Sequence, residues 1–180
     1  METRENPEQK VIQRTKNKEI VEIEGHLYLR QINPGVIIMP YTLNEDGTPN
    51  EIGIMSEILF QRPVGISKTL ITGTPKDSDL NIFQTAVREL KEESGFNVED
   101  IKKWKFLGAL YTSKMVLNSN PCFAVDITGL VAEDMEPAES QKEKDSKFEL
   151  VTIDEALNLE DSLISTLFIK TFKDLFNTIK

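Results

Sequence analysis

The stretch from Gly73 to Phe96 constrains this chain more than any other, because it specifies a glycine turn, a helix with defined ends, and two incompatible faces on that helix. Ser78, Asp79 and Asn81 can each cap a helix N-terminus, and Asn81 with Gln84 has capping-box spacing. Gly95, after Glu92-Glu93-Ser94, suits the left-handed residue that closes a helix. At about 100° per residue, Phe83, Ala86, Val87 and Leu90 share one side, which can be held against a core. Glu89, Glu92 and Glu93 fall within an arc of roughly 100° on another side. Carboxylates at those spacings repel one another, so a cation must offset them. Hard divalent cations suit oxygen ligands and bridge to substrate phosphates. Arg88 can orient one carboxylate through a bidentate pair.

Most acidic helix faces are simply solvated. Here the order of residues argues otherwise. Arg88-Glu89-Leu90-Lys91-Glu92-Glu93-Ser94-Gly95-Phe96 resembles the distal half of the Nudix box, matching every specified position of Arg-Glu-apolar-x-Glu-Glu-x-Gly-apolar. The proximal half departs from the pattern. Counting back from Arg88, the family's glutamate would stand at Leu80 and its glycine at Thr74, whereas this chain has Gly73 and Asp79. Either the carboxylate is lacking or Asp79 supplies it from a shifted loop.

The resemblance implies an α/β fold, the Nudix-type α/β/α sandwich around a mixed β-sheet. It also implies hydrolysis of a nucleoside diphosphate linked to another group. Carried over residue by residue, it makes Glu89, Glu92 and Glu93 metal ligands, joined by a carbonyl at Thr72 or Gly73, with Mg²⁺ as cofactor and Mn²⁺ as its alternate. Arg88 is then an orienting residue of the catalytic group. Gln61-Arg62-Pro63, followed by a strand and the box, is similar to the ADP-ribose pyrophosphatase branch and makes Arg62 a candidate phosphate contact beside Gly73. That branch draws a late-loop glutamate into catalysis. Among Glu139, Glu143, Asp145 and Glu149 we favour Glu143, whose loop precedes the strand starting near Phe148. Tyr28, Tyr41, Trp104 and Tyr111 are the candidate aromatic surfaces for a base. Other readings are a Nudix enzyme acting on a nucleoside triphosphate, dinucleotide or RNA cap, and a non-enzymatic ligand-binding domain of the same fold.

Composition narrows these options. A formal net charge of −9 argues against a nucleic-acid groove, while bound metal can still receive an anionic nucleotide. With one cysteine, Cys122, and one histidine, His26, neither a disulfide within the chain nor a Cys/His metal site can be assembled. No apolar run reaches membrane-spanning length and the charged start is no signal peptide, so a cytoplasmic protein is expected.

Residues 1–18 read as a polar arm or irregular first strand, ahead of a single domain over 19–180. Strands are expected at Ile20–Glu24, His26–Arg30, Gly35–Tyr41, Ile54–Phe60, Ser67–Thr72, Trp104–Tyr111, Pro121–Val131 and Phe148–Val151. Thr152 to Glu155 has the spacing of a capping box, and Asp161 to about Ile179 carries helical periodicity. Members of the branch are often homodimers that exchange N-terminal strands, and the strand-rich start is compatible with that.

Overall fold

The computed structural model describes residues 8–58, 66–133 and 146–176. Its centre is β4 (Val36–Leu43), whose first six residues are all buried. Alternation along a strand sends Ile37, Met39 and Tyr41 to one apolar cluster and Val36 and Ile38 to another. A strand covered on both faces needs this near-continuous apolar run. β9 (Asn120–Asp126) divides the same way, with Cys122 and Ala124 on one side and Phe123 and Val125 on the other. β4 and β9 run parallel while the other pairs are antiparallel, so the sheet is mixed.

The seven-stranded sheet has the order β10 (Lys147–Thr152), β5 (Pro49–Ile58), β4, β9, β8 (Trp104–Leu110). The run expected as one strand over Ser67–Thr72 is two: β6 (Ile66–Thr69) pairs with β5, and β7 (Ile71–Gly73) pairs with β4. Between them Leu70 is buried in the core. Switching partners there brings Gly73 opposite Val36, at the start of the central strand.

Helix α1 (Ile82–Ser94) covers one face of the sheet through Ala86 and Leu90, with Ile82, Phe83 and Val87 half-buried beside them. The opposite face is covered by α2 (Ile153–Leu157) and α3 (Ser162–Thr171), through Ala156, Ile164, Leu167 and Phe168. The result is an α/β/α sandwich. Thr152 and Glu155 form the reciprocal capping box that starts α2.

Three expected bounds are corrected by tertiary contacts. β5 begins at Pro49 rather than Ile54, where proline serves as a strand's first residue. β9 stops at Asp126, whose carboxylate accepts the Thr128 amide at 2.8 Å as the chain turns toward Gly129 at φ 72°. The terminal helix ends at Thr171 because Phe172 leaves helical geometry and packs on Tyr41 and Phe168, before α4 (Lys173–Phe176) resumes.

A separate antiparallel sheet precedes all of this: β1 (Gln9–Arg14), β2 (Lys18–Ile23) and β3 (His26–Gln31). β1 is bulged between Val11 and Gln13. One row of charges, Arg14, Glu19 and Arg30, crosses the three strands, and hydrogen bonds from Arg14 and Arg30 hold the Glu19 carboxyl below its ordinary range. The sheet joins the body where the Leu29 and Leu117 amides bond to Met115 and Leu29 carbonyls, each at 2.9 Å.

Candidate active site

Gly73 ends β7, and the chain then makes a loop over 74–81 before entering α1. The Asn81 side chain accepts the Gln84 amide at 3.0 Å, and Gly95 closes the helix at φ 74°. The reciprocal half of the expected box is displaced by one residue: Gln84 Oε1 accepts from Leu80 N rather than from Asn81. Inside the loop a tight turn is closed twice. The Asp79 amide donates to the Lys76 carbonyl at 2.9 Å, and the Lys76 amide donates to Asp79 Oδ2 at 2.9 Å.

Asp79 also meets the helix. Arg88 donates to it through Nε (3.1 Å) and Nη2 (2.9 Å), and Thr85 Oγ1 donates to it at 3.0 Å. Its side chain is 6% exposed, whereas Leu80 is 85% exposed. The Arg88 bonds hold the Asp79 carboxyl well below the usual carboxylate range. The structure thus places Asp79, and not Leu80, against Arg88.

The third guanidinium nitrogen, Arg88 Nη1, donates to Glu89 Oε1 and Glu92 Oε2, at 2.8 Å each. Glu89 is buried at 9% exposure, and its Oε1 also accepts the Thr74 amide at 3.1 Å. Burial pushes its carboxyl pKa up, against the opposing charge of Arg88. Glu92 is more open, and Lys76 Nζ donates to its Oε1 at 3.1 Å. Glu93 is half-buried on the same helix.

Gly73 is required by this arrangement: a Cβ there would lie 2.0 Å from Glu89 Cγ and 2.1 Å from its Cδ. Gly35 is required one layer further out, since its Cβ would stand 2.4 Å from the Gly73 carbonyl oxygen. Neither Gly35 nor Lys76 was singled out from the sequence. Pro34-Gly35 ahead of a buried strand was the available signal for the first, and a lysine within the glycine loop for the second.

Among the described residues, no three of His, Cys, Asp or Glu converge as a ready metal cage. Glu89 and Glu92 share a cation already, and it is Arg88. Their donor chemistry is nevertheless that which suits a hard divalent cation: two sets of carboxylate oxygens, those of Glu89 buried and lying over Gly73, which leaves that side chain room. The residues therefore fit such an ion. Thr72, whose carbonyl was a further candidate ligand, lies in β7 next to this point.

The remaining candidates separate. Arg62 and Glu143, like Glu139 and Asp145, lie outside the described residues. Glu149 is in β10, where its neighbours Phe148 and Leu150 pack toward α1 and its own carboxylate turns to Lys68 Nζ (2.6 Å) and Ser56 Oγ (3.2 Å). Tyr41 and Trp104 are core residues, Tyr41 against Phe172 and Trp104 against Phe83 with its Nε1 donating to the Val98 carbonyl. They are not surfaces for a base. Tyr111 is 66% exposed and Tyr28 half-buried. Cys122 is buried and its thiol pKa is pushed up to about 11 by burial, which makes it inert at neutral pH.

The family model of the NUDIX domain matches residues 49–172, about two-thirds of the chain. The chain belongs to the Nudix family. As such it is a Nudix pyrophosphatase, a hydrolase acting on phosphoanhydride bonds. Nudix enzymes generally use divalent metal ions. No curated protein matches it by sequence. Among solved structures it is similar to an ADP compounds hydrolase, at a TM-score of 0.57 and 16% identity, covering 95% of this chain and 98% of that one. It is similar also to a Listeria monocytogenes protein whose name places it among NUDIX hydrolases (TM-score 0.51, 19% identity, covering 80% of this Nudix chain and 94% of the other). A third is the C-terminal domain of mouse MUTYH in its complex with human PCNA, with TM-score 0.53, 10% identity and coverage of 83% and 92%. At these identities the three likenesses speak for the fold alone.

Proposed function

We propose that this Nudix hydrolase cleaves the pyrophosphate bond of a nucleoside diphosphate linked to a sugar, with ADP-ribose as the leading substrate. The products are a nucleoside monophosphate and a sugar phosphate. The observation that carries this reading is the convergence of Glu89 and Glu92 on one guanidinium nitrogen beside the Gly73 turn. Such paired carboxylates on a rigid helix support divalent-cation binding, with Mg²⁺ as the ion and Mn²⁺ able to replace it. The name of the ADP compounds hydrolase of the same fold supports the choice of substrate class.

Glu89, Glu92 and Glu93 would hold the cation, together with the carbonyl of Thr72 or Gly73. Bound there, the ion supplies charge neutralisation and water activation for phosphoryl chemistry. The chain supplies position. Asp79 and the Thr74 carbonyl fix Arg88, and Arg88 with the Thr74 amide fixes Glu89. Gly73 lets the backbone come close to that carboxylate. Arg62 as a phosphate contact and Glu143 as the group accepting a proton from water rest on the resemblance to the ADP-ribose pyrophosphatase branch.

A lone, buried cysteine supports placing the enzyme in the reducing cytoplasm. No helix among the described residues is long and apolar enough to cross a membrane. We read the chain as one Nudix domain over 19–180 behind a polar N-terminal segment, and as a homodimer through its N-terminal sheet.

Metal dependence tests the reading directly. Mg²⁺ titrated into metal-free protein should raise Tm for the wild type and leave Glu89→Gln nearly unmoved, and EDTA should abolish hydrolysis of ADP-ribose reversibly. Full hydrolysis in excess EDTA would sink it.

A further inference from the structure

The Lys76 ammonium lies 3.1 Å from Glu92 Oε1 and 3.4 Å from its Oε2, and nothing in the box pattern asks for a cation there. An exposed Lys–Glu pair is ordinarily worth little. Two features set this one apart.

The first is its anchorage. Lys76 sits in the turn closed by its own amide on Asp79 Oδ2 and by the Asp79 amide on its carbonyl. Asp79 is locked in turn by Arg88 and Thr85. The stem of Lys76 therefore starts from a fixed point whatever its ammonium contacts. The second is the difference between the two cations: Arg88 meets Asp79, Glu89 and Glu92, whereas the Lys76 ammonium reaches Glu92 from the open side. Arg88 is tied by two bonds to Asp79 and cannot leave. Lys76, whose side chain is 45% exposed against 18% for Arg88, is the more open of the two cations that meet Glu92.

We propose that Lys76 is a positioning and substrate-binding residue that neutralises Glu92 before metal loading and passes to the substrate's pyrophosphate oxygens afterwards. The proposal rests on the metal reading given above. A divalent cation taking Glu92 leaves Lys76 as surplus positive charge beside the site, and an anionic diphosphate is the complementary partner for a compact, flexible ammonium. Metal and Lys76 thus compete for one carboxylate, while Lys76 and metal cooperate on the substrate.

That gives opposite signs in one variant. Mn²⁺ binding to metal-free protein, followed by electron paramagnetic resonance, should be about fivefold tighter in Lys76→Met than in wild type. Inorganic pyrophosphate binding at saturating Mn²⁺ should be about tenfold weaker, and Lys76→Arg should restore most of it. The turn is closed by backbone atoms and Asp79, so Lys76→Met should keep the wild-type Tm. Weakening of both affinities, or no change in either one, overturns the exchange. Glu89→Gln separates the two levels. Loss of Mn²⁺ binding in Glu89→Gln with no effect of Lys76→Met rejects the exchange alone, whereas wild-type Mn²⁺ binding in Glu89→Gln rejects the metal reading and the exchange with it.

Discussion

The Asp79 carboxylate accepts from Arg88 twice, from the Lys76 amide and from the Thr85 hydroxyl, and so ties the glycine loop to the helix. Asparagine there keeps the shape and loses the charge facing Arg88. Asp79→Asn should cost about 1–3 kcal/mol of stability at neutral pH, since the charge of a nearly buried carboxylate facing Arg88 is removed and its hydrogen bonds are weakened. Its pH dependence has a definite sign. The folded-state pKa lies below the ordinary 3.8, so the unfolded chain binds its proton first and the stabilisation is complete above that value. As pH falls through 3.8 and below, the difference between wild type and Asp79→Asn should shrink, which urea melts at pH 7 and pH 3 would measure. A constant difference would remove Asp79 from its role. Leu80 shows why the sequence left this open: a register count places it where the family's glutamate belongs, but the loop turns it out to solvent.

β7 and α1 meet at Gly73, and the candidate site is built on that junction. The helix was legible because its signals are local: Asn81 at the start, Gly95 at the end, apolar spacing between. The division of Ser67–Thr72 into two strands was not, because the partners that separate them, β5 and β4, are remote in sequence. Phe172 breaks a helix that its own periodicity would continue, since its ring is needed against Tyr41. The β7–α1 contact makes a sharp prediction. Gly73→Ala places a methyl group 2.0 Å from Glu89 Cγ, so the carboxylate must move. Hydrolysis should fall at least about 100-fold, as expected for misplaced catalytic geometry, while circular dichroism stays near wild type. Unchanged turnover would mean that Glu89 need not lie where it does.

Across the whole molecule, the two apolar clusters on either face of β4 and β9 hold the sandwich, and the order of strands and helices made that layering readable in advance. The parallel pairing of β4 with β9 and the detachment of β1–β3 as a sheet of their own were not readable, since no local pattern encodes register between distant strands. That small sheet leaves Val11, Ile12 and Leu27 exposed, with Ile32 exposed just after it, which suits burial against a second copy. Light scattering should give a dimer for the wild type and a monomer once Val11 and Ile12 are both replaced by Lys. A wild-type monomer would reject the dimer.

On this reading the carboxylates of α1 drive metal-dependent cleavage of a nucleoside diphosphate linked to a sugar. Product analysis of ADP-ribose incubated with Mg²⁺, wild type beside Glu93→Gln, tests it most directly. AMP and ribose phosphate are expected from the wild type, and a rate at least about 100-fold lower from Glu93→Gln with its Tm preserved or raised by relief of carboxylate repulsion. Equal turnover by the two proteins would contradict it.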